Sequence, residues 1–179
     1  MRPTKKTLGL GVILLAVFCG SFLLFYKRSQ KAPPSQDLIF TPAVINQPLP
    51  KTHLVNFSGE AFDDERLRRG KVVLVFMMPD CEFCEREDEF LQTVGHGREG
   101  VSFVYVIPFG GKQKGLELAR GKYSLDPFYD YGSNLSKKLE LYRVPVKVYL
   151  EDGIIKRVWQ RATLDSEAQA EFKDWLNGV

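Results

Sequence analysis

Positions 72–78 read Val-Val-Leu-Val-Phe-Met-Met, an apolar, valine-rich run that stops at Pro79 and leads directly into Cys81-Glu82-Phe83-Cys84. A continuous apolar run of this length is a strand buried on both faces, and a proline ends its hydrogen-bonding ladder. The charged residues that follow have the composition of a helix, so the order is strand, turn, helix start. Two cysteines at i and i+3 on the first helical turn lie close enough to share a disulfide. The first of them can use the unpaired N–H groups and positive dipole end of the helix to hold a thiolate. The stretch therefore points to thiol redox chemistry.

Two duller uses of the pair compete. Half of a zinc site needs further ligands, and the remaining candidates are Cys19, in an apolar run near the N-terminus, and the two histidines, His53 and His96. A structural staple is not required by a chain of 179 residues that is 44% hydrophobic, which can bury a sizeable core unaided. Reversible thiol chemistry is the favoured reading.

Charge is unevenly distributed along the chain. The first 31 residues hold six basic residues and no acidic one, leaving 19 basic and 22 acidic residues for the body. The folded part thus has no basic footprint for nucleic acid. Positions 8–26 carry no charge in 19 residues; as a helix they would span roughly 28 Å, close to a bilayer core. Residues 1–31 are read as an uncleaved single-pass anchor in preference to a cleaved signal peptide. Residues 32–50, with prolines at 33, 34, 42, 48 and 50, read as an extended tether. Basic residues flank both ends of the apolar run, so the expected export of the C-terminal body follows the usual signal-anchor arrangement rather than the charge bias.

The body, residues 51–179, alternates strands and helices. A first strand is expected at 54–57, a brief helix at 63–69, the apolar strand at 72–78 and a helix at 85–94 with Phe83, Phe90, Leu91 and Val94 on its apolar side. Strands follow at 101–107 and 146–150, a hairpin turn at Glu151-Asp152-Gly153, its partner strand at 154–159, and a closing helix at 165–176. Positions 135–142 look helical, and 108–125 contain a short helix at 116–120. The fold class is α/β with a mixed central sheet.

At this point the chain resembles the thioredoxin superfamily, and within it the membrane-anchored thiol:disulfide oxidoreductases of the TlpA and ResA type. The residues that carry the resemblance are Gly70-Lys71-Val72-Val73-Leu74-Val75-Phe76, Cys81-Glu82-Phe83-Cys84-Glu85, Val144-Pro145-Val146 and Glu151-Asp152-Gly153. The resemblance implies a thioredoxin-like fold, Cys81 as nucleophile, Cys84 as resolving thiol, and Pro145 in a cis peptide facing the pair. Val144, Pro145 and Phe83 would then contact the substrate. It implies no metal or organic cofactor. Two positions depart from the usual pattern: Asp80 stands where an aromatic residue commonly precedes the first cysteine, and Phe83 where a proline often precedes the second. The family also tends to place a buried carboxylate behind the pair, which the sequence alone does not locate.

The expected chemistry is thiol–disulfide exchange with protein thiols and disulfides. Asp80, Glu82, Glu85, Glu87, Asp88 and Glu89 oppose a thiolate at Cys81, with Arg86 the only cation nearby in sequence. That predicts a reductant, nearer about −270 mV than about −120 mV. The competing view of the acidic cluster is a solvated helix face. An exported reductant needs electrons, so a membrane thiol-electron transporter is an implied partner. Apocytochrome c haem-attachment cysteines or copper-site thiols are the substrates the resemblance suggests. The alternative function is a copper-site assembly or metal-delivery module using His53 or His96. A peroxiredoxin is disfavoured because the residue three before Cys81 is Met78. The two tryptophans and the Tyr123–Tyr131 aromatics are read as packing.

Overall fold

The computed structural model describes residues 44–95, 99–109 and 112–179. The expected membrane helix at 8–26, most of the tether, Cys19 and His96 lie outside the described residues. Among the described residues, no helix is long and apolar enough to cross a membrane.

Six strands form one mixed sheet: β1 (Leu54–Val55), β2 (Lys71–Phe76), β3 (Val101–Ile107), β4 (Phe128–Asp130), β5 (Val146–Glu151) and β6 (Ile154–Trp159). Their spatial order is β1-β4-β3-β2-β5-β6. β2 runs parallel to β3 and antiparallel to β5, and so occupies the interior of the sheet. The helices are α1 (Glu82–Val94), α2 (Lys112–Ala119), α3 (Asn134–Lys138) and α4 (Ser166–Gly178).

The continuous apolar run of β2 is explained by layers on both faces. Val72, Leu74 and Phe76 point into one core with Leu135, Leu139, Val146, Val148 and Leu150. Val73, Val75 and Met77 point into the other, with Tyr105, Ile107, Leu91 of α1 and Phe172 and Leu176 of α4. Each side chain of β2 from Val72 onward is 2% exposed or less, so either face lost to a polar residue would cost core packing. Trp159 and Trp175 pack as expected, with ring centroids 4.6 Å apart against Phe172 and Tyr149.

The β5–β6 hairpin turns at Asp152 (φ 48°) and Gly153 (φ 79°). Two successive left-handed residues match the twist of the flanking strands and account for the Asp-Gly pair. The turn is tied to the start of β2, since Asp152 accepts from the Gly70 N–H at 2.8 Å. A Cβ on Gly153 would also meet the Arg68 backbone at 3.2 Å.

Several expectations are corrected. Residues 44–50, assigned to the tether, are packed: Pro48 bridges Ile154, the Asn46 N–H donates to Ile155 O at 2.7 Å, and Leu49 is 5% exposed. They cover the outer edge of β6, whose unpaired backbone groups need partners. The helix expected at 135–142 ends at Lys138, because Glu140 adopts φ 52°, outside helical space. Its start is fixed instead by buried Asp130, whose carboxylate accepts from the N–H groups of Leu135 at 3.0 Å and Ser136 at 2.7 Å. The helix at 116–120 extends back to Lys112. The brief helix at 63–69 is a 3-10 turn at Asp64–Leu67 capped by Asp63.

Candidate active site

β2 gives its last ladder bond near Met77, whose N–H donates to Val106 O at 2.9 Å. Pro79, without an N–H, breaks the strand, and Cys81 becomes the N-cap of α1 in extended conformation. The helix therefore begins at Glu82, three residues earlier than expected. The Cys84 N–H is satisfied from the cap residue, with the Cys81 carbonyl 2.9 Å and the Cys81 sulfur 3.2 Å away. The two cysteines form a disulfide with Cα atoms 5.2 Å apart, within the range two unstrained backbones permit. Their exposure differs. Cys84 is 0% exposed, whereas Cys81 is partly open, so an incoming sulfur can reach only Cys81.

Val144-Pro145 is a cis peptide, as the resemblance implied. Antiparallel pairing sets Val146 opposite Phe76, which puts Val144 and Pro145 at the end of the sheet where β2 releases the cysteines. Val144 packs against both cores. Phe83, expected on the apolar side of the helix, is 54% exposed beside the disulfide, and Tyr142 is 86% exposed three residues before Pro145.

The inward stripe of α1 is Cys84, Glu87, Asp88 and Leu91, all buried, at the i, i+3, i+4, i+7 spacing of one helix face. Two of its four members are acids, so the solvated-face reading fails for them and holds for Glu82 and Glu89. Beside Asp88 on this face, Glu87 is a buried carboxylate that the sequence did not locate. Its Oε1 lies 2.6 Å from Lys147 Nζ, both side chains being fully buried, and it accepts from Thr163 N at 2.5 Å and Thr163 Oγ1 at 2.6 Å. Lys147 sits in β5 directly opposite Val75 and also reaches the Arg161 carbonyl at 3.3 Å. Burial pushes its ammonium below the usual lysine range, while Glu87 pulls it back up. A lysine inside Val-Lys-Val-Tyr-Leu was the available signal: buried on an interior strand, it must have an anion.

Asp88 anchors a second network. It accepts from Tyr105 Oη at 2.7 Å, Ser124 N at 3.0 Å and Gln92 Nε2 at 2.9 Å, and from the Ser124 hydroxyl. Burial and neighbouring carboxylates raise the Tyr105 phenol well above its ordinary range, so it stays a donor. Arg86 is not the only cation near the cysteines: Lys122 Nζ pairs with Glu85 at 2.7 Å.

Of the two histidines in the copper alternative, His53 lies among the described residues. His53 is exposed and lines a cavity of about 450 Å³ with Thr52, Phe62 and Tyr131 on the β1 side. Three strand spacings, about 14 Å, separate β1 from the strand that leads to the cysteines. No group of three His, Cys, Asp or Glu side chains suited to a metal occurs among the described residues.

No family model matches the chain, and no curated protein matches it. Solved structures do. A candidate protein disulfide isomerase from Bacteroides thetaiotaomicron superposes with TM-score 0.61 at 18% identity, over 74% of this chain and 87% of that one. A secreted Mycobacterium tuberculosis disulfide oxidoreductase, described as homologous to E. coli DsbE, gives 0.59 at 21% identity over 73% and 97%. The thioredoxin domain of a Bacteroides vulgatus thiol-disulfide oxidoreductase gives 0.59 at 11% identity over 74% and 98%. The neighbours are thioredoxin-like thiol-disulfide oxidoreductases, and this chain has their fold.

Proposed function

We propose that this protein is a membrane-tethered, extracytoplasmic thiol:disulfide oxidoreductase that reduces protein disulfides. The observation that carries the reading is the asymmetric pair: an accessible Cys81 sulfur at a helix N-terminus, bonded to a buried Cys84. In the reduced protein the Cys81 thiolate attacks a substrate disulfide, forming a mixed disulfide and releasing one substrate thiolate, which takes up a proton. Cys84 then loses its proton and attacks Cys81, releasing the second substrate thiol. Two electrons pass to the substrate and the Cys81–Cys84 bond re-forms, with no cofactor in the cycle.

Exposed Phe83 and half-buried Val144 supply the substrate contact surface at the end of the sheet they share with Cys81, with buried Pro145 next to Val144. A reducing direction is supported by Asp80 and Glu82, which flank Cys81 and oppose its thiolate to the extent that solvent screening allows, Glu85 being paired with Lys122. The substrates fitting an exported reductant are haem-attachment cysteines of apocytochrome c or thiols of a copper site, with a membrane thiol-electron transporter as donor. The mycobacterial neighbour, named as secreted, and the uncharged run at 8–26 support export and tethering.

The reduction potential of the full-length chain tests the direction: a value nearer about −270 mV than about −120 mV is expected, and one at the oxidising end overturns it. A reporter fused after Val179 and active only in the cytoplasm would overturn the topology.

A further inference from the structure

Residues 122–124 follow α2 in the part of the chain whose role the sequence leaves unassigned, and three successive side chains there grip both flanks of the cysteine turn. Lys122 Nζ donates to the Pro79 carbonyl and pairs with Glu85 at 2.7 Å. The Tyr123 hydroxyl donates to the Met78 carbonyl. Ser124 donates to Asp88 through its N–H at 3.0 Å and through its hydroxyl. Met78 and Pro79 lie beyond the last residue of β2, so these carbonyls take donors from outside the sheet. The segment is a strap across the turn, fastened before Cys81 and after Cys84.

The charges around Cys81 are divided between two lysines. Asp80 and Glu82 are exposed and screened by solvent. Glu87 is neutralised by Lys147 from β5, and Asp88 is held by hydrogen bonds from Tyr105, Gln92 and Ser124. Arg86 points to solvent. Glu85, in the first turn of α1, has Lys122 as its partner. The neutral Tyr123 hydroxyl adds no charge, burial and the nearby carboxylates holding its proton on. Among the described residues, Lys122 is therefore the cation that sits on the turn itself, on the carbonyl two residues before Cys81 and on the acid one residue after Cys84.

We infer that Lys122 is a positioning and charge-setting residue for the exchange reaction: it stabilises the Cys81 thiolate and thereby sets how strongly the pair reduces. The inference rests on the exchange reading above and assigns the strap a role within it. In the equilibrium with glutathione, the protein disulfide takes two electrons and two protons from two glutathione molecules, giving two protein thiols and one glutathione disulfide. A stabilised thiolate favours the reduced protein. Removing Lys122 leaves Glu85 uncompensated, so the reduced form is disfavoured and the pair becomes a stronger reductant.

The test uses the full-length chain and four variants: Lys122→Met, Lys122→Gln, Lys122→Arg and Tyr123→Phe. The apparent pKa of Cys81 is read from the pH dependence of alkylation, and the glutathione equilibrium constant is measured alongside. Lys122→Gln keeps a donor for the Pro79 carbonyl and loses the charge; Lys122→Arg keeps the charge. Both uncharged variants are expected to raise the pKa by about half a unit or more, which is about a threefold loss of thiolate below the pKa, the size expected of one partly exposed neighbouring charge. Lys122→Arg and Tyr123→Phe are expected to stay near wild type. A folded Lys122→Gln or Lys122→Met protein with an unmoved pKa overturns the inference, as does a shift in Lys122→Arg equal to that in Lys122→Gln. A wild-type pair that never exchanges with glutathione removes the exchange reading itself, and this inference with it; exchange with unmoved pKa values removes the inference alone.

Discussion

Lys147 Nζ and Glu87 Oε1 lie 2.6 Å apart with both side chains fully buried, joining the strand that follows Pro145 to the helix that carries Cys84. Residues far apart in sequence are thereby held in one arrangement around the disulfide. Breaking such a pair leaves an uncompensated charge in the core. Glu87→Ala and Lys147→Ala are each expected to destabilise the protein by about 3–5 kcal/mol, and Glu87→Leu combined with Lys147→Met by much less than the two together. Urea unfolding of the four proteins reads this directly. Additive losses would show that the two groups do not depend on each other.

Asp88 serves a different purpose, since its partners lie in β3 and in the 122–124 strap. Asp88→Ala removes the charged acceptor shared by the buried Tyr105 hydroxyl and Ser124, at a cost of about 2 kcal/mol or more. Amide exchange at residues 122–124 should accelerate well beyond the change at β2. Equal acceleration at both places would mean the strap is not held by this carboxylate.

Alkaline pH should weaken the fold. Burial raises the phenols of Tyr105 and Tyr123 above their ordinary value of 10.0, so the unfolded chain gives up these protons first. Their contribution is complete below about pH 10 and is lost as pH climbs past it, by up to about 1.4 kcal/mol per pH unit for each tyrosine. Lys147, whose pKa is lowered by burial, works in the opposite sense only up to about pH 10.5, where the unfolded lysine also gives up its proton. Denaturant midpoints from about pH 10.5 to 12 should fall, and Tyr105→Phe or Tyr123→Phe should each flatten the decline. Midpoints that hold steady or rise would contradict this.

The elements most legible in the sequence are those in which one periodicity dominates. Val101–Ile107 and Ile154–Trp159 have the bounds that the apolar pattern and the Asp-Gly turn indicate. The inward face of α1 was hidden because Glu87 and Asp88 occupy positions where the helical pattern asks for apolar residues, their burial made possible by Lys147, Thr163, Tyr105 and Ser124 from remote parts of the chain. Long-range neutralisation of this kind leaves no local signature. β4 was missed because it is three residues long and its pairing with β3 and β1 comes from tertiary contact. Residues 44–50 look like tether because proline and polar residues suit an edge as well as a linker. The cysteine turn itself was legible, since a buried strand, a proline and a helix start leave few other arrangements.

The division of labour between the two sulfurs is the claim on which the rest stands. Reduced Cys84→Ser protein, mixed with glutathione disulfide and followed by intact mass, should form one stable adduct at Cys81 and release one glutathione thiol. Reduced wild-type protein should pass through that adduct to the internal disulfide, and Cys81→Ser should remain unmodified at Cys84 over the same period because Cys84 is buried. Adduct formation on Cys84 in Cys81→Ser at a comparable rate, or none on Cys81 in Cys84→Ser, would contradict the account.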